Sequence, residues 1–261
     1  MARRILTSRR AIITGASSGI GQHLALALAR HQVRMVVNAR RGDRLEQLAK
    51  TIRELGAECT PVVGDITDPA VRKTLLDQCQ NQYGGLDILV NNAGIGAMGP
   101  FIEATEDRLR RIFEVNFFSL AEMTRAAIPH LQQGDDPLIV NISSVLGHRA
   151  APLKSEYSAS KFAVHGLSDA LRAELQPLGI ELLLVSPGTT DSDFFDQAIE
   201  DSTGRDWKKR GAMPPEVVAA RTVRAMIRRR HEIILTAGGR VIVWIDRLLP
   251  GIANRLVARF G

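Results

Sequence analysis

Tyr157 stands four residues before Lys161 in the run Tyr157-Ser158-Ala159-Ser160-Lys161, a spacing that sets a phenol and an ammonium on one face of a helix. A free tyrosine loses its proton near pH 10. Making it a proton donor and acceptor at neutral pH takes about 4 kcal/mol of preference for the phenolate. One ammonium about 4 Å away, at an effective dielectric of about 20, supplies an energy of that order. The pair points to proton transfer at an oxygen. Taken alone it fits equally a snorkelling lysine beside a half-buried ring, so the choice falls to the rest of the chain.

Three further stretches bear on it. The first is Thr14-Gly15-Ala16-Ser17-Ser18-Gly19-Ile20-Gly21. Here Gly15 ends a strand, Gly19 and Gly21 let a pyrophosphate approach the backbone, and the following helix aims its N-terminal amides at the phosphates. The others are Asn91-Asn92-Ala93-Gly94 and Asn141-Ile142-Ser143-Ser144, the latter placing a serine thirteen residues before Tyr157. In this order and spacing the motifs resemble the short-chain dehydrogenase/reductase family in its compact, single-domain form. The turn's G-x-x-x-G-x-G spacing is that of this family, not the commoner dinucleotide pattern. The resemblance runs from Ala11 to Leu235 and takes in Asp65, Asn116 and Pro187-Gly188.

The resemblance implies a role for each matching residue. Tyr157 would transfer a proton to or from the substrate oxygen, and Lys161 would lower its pKa and hold the nicotinamide ribose. Ser144 would hydrogen-bond the carbonyl or alcohol, and Asn116 would support a water between Lys161 and solvent. Ser143 competes with Ser144, but the thirteen-residue spacing to the tyrosine favours Ser144. A Ser-His-Asp hydrolase built on Ser144 lacks the G-x-S-x-G elbow. The dinucleotide would meet Gly15, Ser17, Ser18, Gly19, Ile20 and Gly21 at the turn, Asn92, Ala93 and Gly94 after the fourth strand, and Tyr157 and Lys161. Pro187, Gly188, Thr190 and Ser192 would complete its cradle, with Asp65 and Ile66 beside the adenine.

Cofactor choice turns on the end of the second strand. NAD-binding relatives carry an acidic residue there to hold the ribose hydroxyls. This chain has Ala39 followed by Arg40 and Arg41, and a guanidinium binds a 2′-phosphate that a carboxylate would repel. NADP(H) is therefore expected over NAD(H), unless Arg40 merely begins the solvated helix that holds Asp43 and Arg44. The implied reaction interconverts a ketone or aldehyde and an alcohol on a hydrophobic, lipid-, steroid- or retinoid-like substrate. Leu146, Ala150, Ala151, Pro152, Leu153, Phe194 and Phe195 would form the apolar pocket. Two alternatives stay open. One is a 3-oxoacyl-carrier-protein reductase, against which the continuation Ile95-Gly96-Ala97-Met98 counts. The other is a non-catalytic NADP-sensing regulator, against which the presence of both Tyr157 and Lys161 counts.

The elements that must position these residues are legible as an alternation. Apolar runs at Ala11 to Thr14, Val33 to Asn38, Cys59 to Val63, Ile88 to Asn91, Leu138 to Ser143, Glu181 to Ser186 and Glu232 to Leu235 read as strands buried on both faces. Between them Ile20-Leu24-Leu28, Leu45-Leu48-Ile52-Leu55 and Leu167-Leu171-Leu175 repeat at helical spacing. The expectation is an α/β, Rossmann-like, doubly wound parallel sheet of about seven strands, with the ligand at the strands' carboxyl ends. Residues 1–261 form one domain of suitable size. The long polar stretch at residues 188–212 serves as a substrate loop. The helices Thr105 to Leu131 and Ser155 to Gln176 are expected to join a homodimer or homotetramer.

Cys59 and Cys79 are too few for a disulfide framework and read as reduced, buried thiols. The six histidines show no paired ligand spacing, so no metal is expected, and His148 and His165 read as structural or exposed. The first ten residues have no signal-peptide apolar region, and the run Val241 to Ile245 is too short to span a bilayer. A cytoplasmic protein follows. Charge is concentrated at the ends. Arg3, Arg4, Arg9 and Arg10 open the chain, and Arg221 to Gly261 holds nine arginines against Glu232 and Asp246. Nucleic acid is a poor partner, because no aromatics interleave with these arginines. In the extension at residues 240–261, Val241, Ile245, Leu248, Ile252 and Leu256 recur at near-helical spacing opposite Arg240, Arg247, Asn254 and Arg255, with a break expected at Pro250-Gly251. Either this amphipathic segment lies on an anionic membrane surface, or its apolar face packs on the core or a partner subunit.

Overall fold

The computed structural model describes residues 2–191 and 212–260, with side chains described through Arg255. Seven parallel strands lie in the order β3-β2-β1-β4-β5-β6-β7. They are β1 (Arg10–Thr14), β2 (Arg34–Ala39), β3 (Cys59–Val63), β4 (Ile88–Asn91), β5 (Leu138–Ile142), β6 (Glu181–Ser186) and β7 (Glu232–Ile234). The order reverses between β1 and β4, so the loops after these strands part and leave a crevice at the carboxyl edge.

Both faces of the sheet are apolar because successive side chains point opposite ways. Ile13, Val37 and Val185 face one layer of helices, formed by α1 (Gly19–Ala29), α2 (Gly42–Glu54) and α7 (Pro215–Ile227). Ile12, Val36, Leu89 and Leu184 face the other, formed by α3 (Pro69–Tyr83), α5 (Ser119–Leu131) and α6 (Ser155–Leu175). The sequence reading of every strand as buried on both faces fails at the two edges. Val63 ends β3 largely exposed, and β7 is exposed at Glu232 and only half-buried beyond it. Each edge strand has one neighbour.

The helix expected over Thr105 to Leu131 is two helices in line. α4 (Glu106–Phe113) runs through a π-helical turn at Glu114–Phe118 into α5. That wider turn is where Asn116 sits, completely buried, in keeping with the tendency of such bulges to aim a side chain. The C-terminal extension also forms two helices, α8 (Ala237–Leu248) and α9 (Pro250–Phe260). Thr236 caps α8 by accepting from the Gly239 amide at 3.1 Å. Pro250 opens α9, where its fixed φ and missing N–H cost nothing. Among the described residues no helix is long and apolar enough to cross a membrane.

Candidate active site

A cavity of about 640 Å³ occupies the crevice at the carboxyl ends of the strands. Its floor is the turn after β1. Gly15 has φ +67°, a left-handed conformation, and a Cβ on it would lie 2.7 Å from Ala93 Cα. The turn and the loop after β4 are latched together. Thr14 Oγ1 accepts from the Asn92 and Ala93 amides at 3.1 Å, and Asn92 Nδ2 donates to the carbonyls of Thr14 and Gly15 at 2.9 Å. Thr14 was not singled out by sequence, and the Asn92 side chain braces the protein. Gly21 does not line the cavity, and a Cβ there would stand 2.4 Å from Asn92 Nδ2 and from the Gly15 carbonyl oxygen, so its small size serves chain packing.

Gly15, Ser17, Ser18, Gly19, Ile20, Asn92, Ala93 and Gly94 all face the cavity, as do Arg40, Arg41, Asp65, Ile66, Pro187, Gly188 and Thr190. Ser192 lies outside the described residues, with Phe194, Phe195 and most of the expected substrate loop. α1 starts at the cavity with no acidic residue in its first turn and no side-chain cap from Ser18, so its N-terminal amides and positive dipole end face the space. Arg41, rather than Arg40, is the arginine tied to the turn. Its guanidinium donates to Ser17 Oγ at 3.1 Å and to Ser18 Oγ at 2.7 Å. The exposed Arg40 stands beside it. Asp65 accepts from Thr67 and from Arg111, the latter at 2.7 Å. Burial would raise the Asp65 pKa, but these hydrogen bonds outweigh it and hold the carboxyl below its usual range. Arg111, also on the cavity wall, had no sequence signal, because its partner lies 46 residues away.

The other half of the cavity brings Ser144, Tyr157 and Lys161 together. Ser144 follows β5 and caps the short turn Val145–Gly147 by accepting from the Leu146 amide at 3.1 Å. The phenol of Tyr157 is hydrogen-bonded to Ser144. Ser143 Oγ is buried and unbonded. Lys161 donates to the Ile142 carbonyl at 3.0 Å, and its Nζ stands 5.8 Å from the centre of the Tyr157 ring. Burial works against the lowered phenol pKa expected from the tyrosine–lysine spacing. Burial pushes Tyr157 up to about 12, opposed by the bond to Ser144, and burial pushes Lys161 down to about 8.

Asn116 stands off the cavity, with Nδ2 donating to the Ile95 carbonyl and to Ser160 Oγ at 3.0 Å each, and Oδ1 accepting from the Ile95 amide at 2.8 Å. Its amide hydrogens are committed to the protein. Behind Tyr157, Arg108 and Glu156 form a completely buried ion pair, with Nη2 to Oε1 at 2.6 Å, that joins α4 to the first turn of α6. Among the described residues of the expected apolar pocket, Leu146 lines the cavity, while Ala150 and Pro152 are exposed. Thr236, Gly238, Gly239 and Ile242 close that side.

The sequence matches the profile of the short chain dehydrogenase family over residues 9–203. The chain belongs to that family. This short-chain dehydrogenase is an oxidoreductase acting on CH–OH groups. It is 28% identical to the "Ketoacyl reductase HetN" of Nostoc over 262 residues, spanning 98% of this chain and 90% of that protein. Its structure resembles a short-chain dehydrogenase/reductase from Burkholderia phymatum in complex with NAD, with a TM-score of 0.87 and 25% identity over 95% of this chain and 96% of the other. It also resembles one from Burkholderia cenocepacia in complex with NADP, with a TM-score of 0.80 and 28% identity over 91% of this chain and all of the other.

Proposed function

We propose that this short-chain dehydrogenase uses NADP(H) to interconvert a hydrophobic ketone or aldehyde and its alcohol. The observation that carries the reading is the pair Arg40 and Arg41 at the end of β2, with Arg41 bonded to the serines of the glycine turn and Ala39 where an acidic residue would serve NAD. Two guanidinium groups beside the N-terminus of α1 suit an extra phosphate. When bound, the nicotinamide supplies or accepts the hydride.

The chain's own residues do the rest. Tyr157 gives its phenolic proton to the substrate oxygen in reduction and takes it back in oxidation. Ser144, bonded to the same phenol, donates to that oxygen and fixes its place. Lys161 holds the ribose and supplies positive charge that favours the phenolate. Asn116 acts as a positioning residue, tying Ile95 to Ser160 beneath the lysine. Leu146 and Ile242 offer apolar surface at the mouth, in keeping with a hydrophobic substrate. Phe162, half-exposed on α6, and Phe118 at the π turn support a homodimer or homotetramer through these helices.

A panel of carbonyl and alcohol substrates with NADPH, NADP, NADH and NAD tests the reading. The expected result is a higher kcat/KM with NADP(H), reversed in Arg41→Asp together with Arg40→Asp. Equal values for both cofactors in the native enzyme would overturn it. Similarity to the Nostoc ketoacyl reductase favours one second reading, a reductase of 3-oxoacyl thioesters. Turnover of an acetoacetyl thioester with no activity on free ketones would decide for it.

A further inference from the structure

One side-chain cluster outside the cavity plays no part in this chemistry. His148 ends the turn after Ser144, His165 lies one helical turn beyond Lys161 on α6, and Glu232 is the first residue of β7. One donor atom from each lies within 4.8 Å of the other two. His148 Nε2 is 3.1 Å from Glu232 Oε1, and the two imidazole rings meet edge to face with centres 4.2 Å apart.

We propose that His148, His165 and Glu232 bind one divalent transition-metal ion of the zinc type, which clamps the loop after Ser144 to α6 and β7. Imidazole and carboxylate donors at about 2.0–2.2 Å from zinc stand roughly 3.3 Å apart in a tetrahedron, and His148 Nε2 and Glu232 Oε1 already stand 3.1 Å apart. A hydrogen-bonded His148–Glu232 pair accounts for two members only. His165 Nε2 is shielded from solvent and has no hydrogen-bond partner, and a buried ring nitrogen without a partner calls for an explanation. Gly147 is shaped around that ring, since a Cβ there would stand 2.6 Å from His165 Nε2.

Two further observations suit a metal. Ser186 Oγ, 3.1 Å from His148 Nε2, or a water can complete the shell. Glu232 is exposed and gives an ion a way in. Sequence gave no hint of the cluster, because its members are 17 and 67 residues apart and meet only when β7 pairs with β6.

The test titrates full-length, chelator-treated protein with zinc chloride by calorimetry and with cobalt chloride by visible absorption. One ion per chain is expected, with the intense d–d bands of a four-coordinate cobalt site. His165→Ala and Glu232→Gln should each weaken zinc binding at least about tenfold and remove the rise in Tm that zinc gives the native protein. Glu232→Gln, at an exposed strand end, keeps the test intact if His165→Ala does not fold, and circular dichroism establishes which variants do. No saturable binding at one ion per chain, or native affinity in the folded variants, overturns the proposal. The readout is independent of cofactor choice and of turnover.

Discussion

The floor of the cavity and its tail-side wall are built by opposite means. The turn after β1 is held by backbone groups bonded to the side chains of buried Thr14 and half-buried Asn92, with no room for a Cβ at Gly15 or Gly21. The wall formed by α8 rests on a Thr236 cap, the buried Gly239 and Val243, and the Arg149–Asp246 pair at 2.8 Å, with Ala253 of α9 beneath. Its outer side leaves Val241, Trp244, Leu248, Leu249 and Ile252 exposed. The half that faces a common ligand is over-determined, whereas the half that faces a variable one is lightly attached. Loosely held segments are where specificity changes at low cost to stability.

The largest expected effect lies where the two halves meet. Tyr157→Phe should lower kcat by about 10²–10⁴-fold, the usual worth of a positioned general acid, while dinucleotide affinity measured by fluorescence stays near the native value. A variant retaining more than about a tenth of native turnover would remove Tyr157 from the chemistry. Arg108→Ala comes next, since it strands the Glu156 carboxylate in the protein interior. A loss of about 3–5 kcal/mol in urea unfolding is expected, and a loss below about 1 kcal/mol would show that water reaches the pair.

A smaller effect appears in the dependence of stability on pH. Burial lowers Lys161 from 10.5 to about 8, so between these values the unfolded chain binds more protons than the folded one. Stability from this group therefore rises with pH across that window and is lost as pH falls through it. The urea midpoint of the native protein minus that of Lys161→Met should climb from pH 8 to pH 10 in the absence of cofactor. A flat difference would mean the ammonium is solvated.

The smallest effect concerns the outer wall, and it separates the two readings of the tail. Val243 and Ala253 pack on the protein while the Trp244 side stays open. Trp244→Ala should change stability by no more than about 0.5 kcal/mol. If this face meets an anionic membrane, the variant should co-sediment less with phosphatidylserine vesicles, and salt should weaken native binding by screening arginines worth about 1 kcal/mol each. Native protein that ignores the vesicles but elutes as a dimer, which Trp244→Ala splits, would assign the face to a subunit contact instead.

Much of this was legible in the sequence for a simple reason. Strands covered on both faces must be apolar throughout, so β1, β2, β4, β5 and β6 announced themselves within a residue or so. The glycine turn and the Tyr157–Lys161 pair were legible because their spacing is local. What escaped depends on distant contacts or on register. Apolar spacing does not reveal the extra residue in the π turn that points Asn116 inward. Arg111 reaching Asp65 and Ile242 reaching the cavity join segments separated along the chain. The high pKa of Tyr157 escaped because the i, i+4 argument counted the ammonium and omitted the cost of burying the phenol.

The placement of α8 on the cavity also bears on how the protein is made. β1 sits mid-sheet, yet its partner β4 is 77 residues downstream, and the wall at Ala237 follows the end of β6 by 51 residues. At synthesis rates of about 5–20 residues per second, roughly 3–10 s separate the appearance of a nearly complete sheet from that of its last wall. During that interval the apolar side of the crevice stands without the wall that covers it in the folded protein.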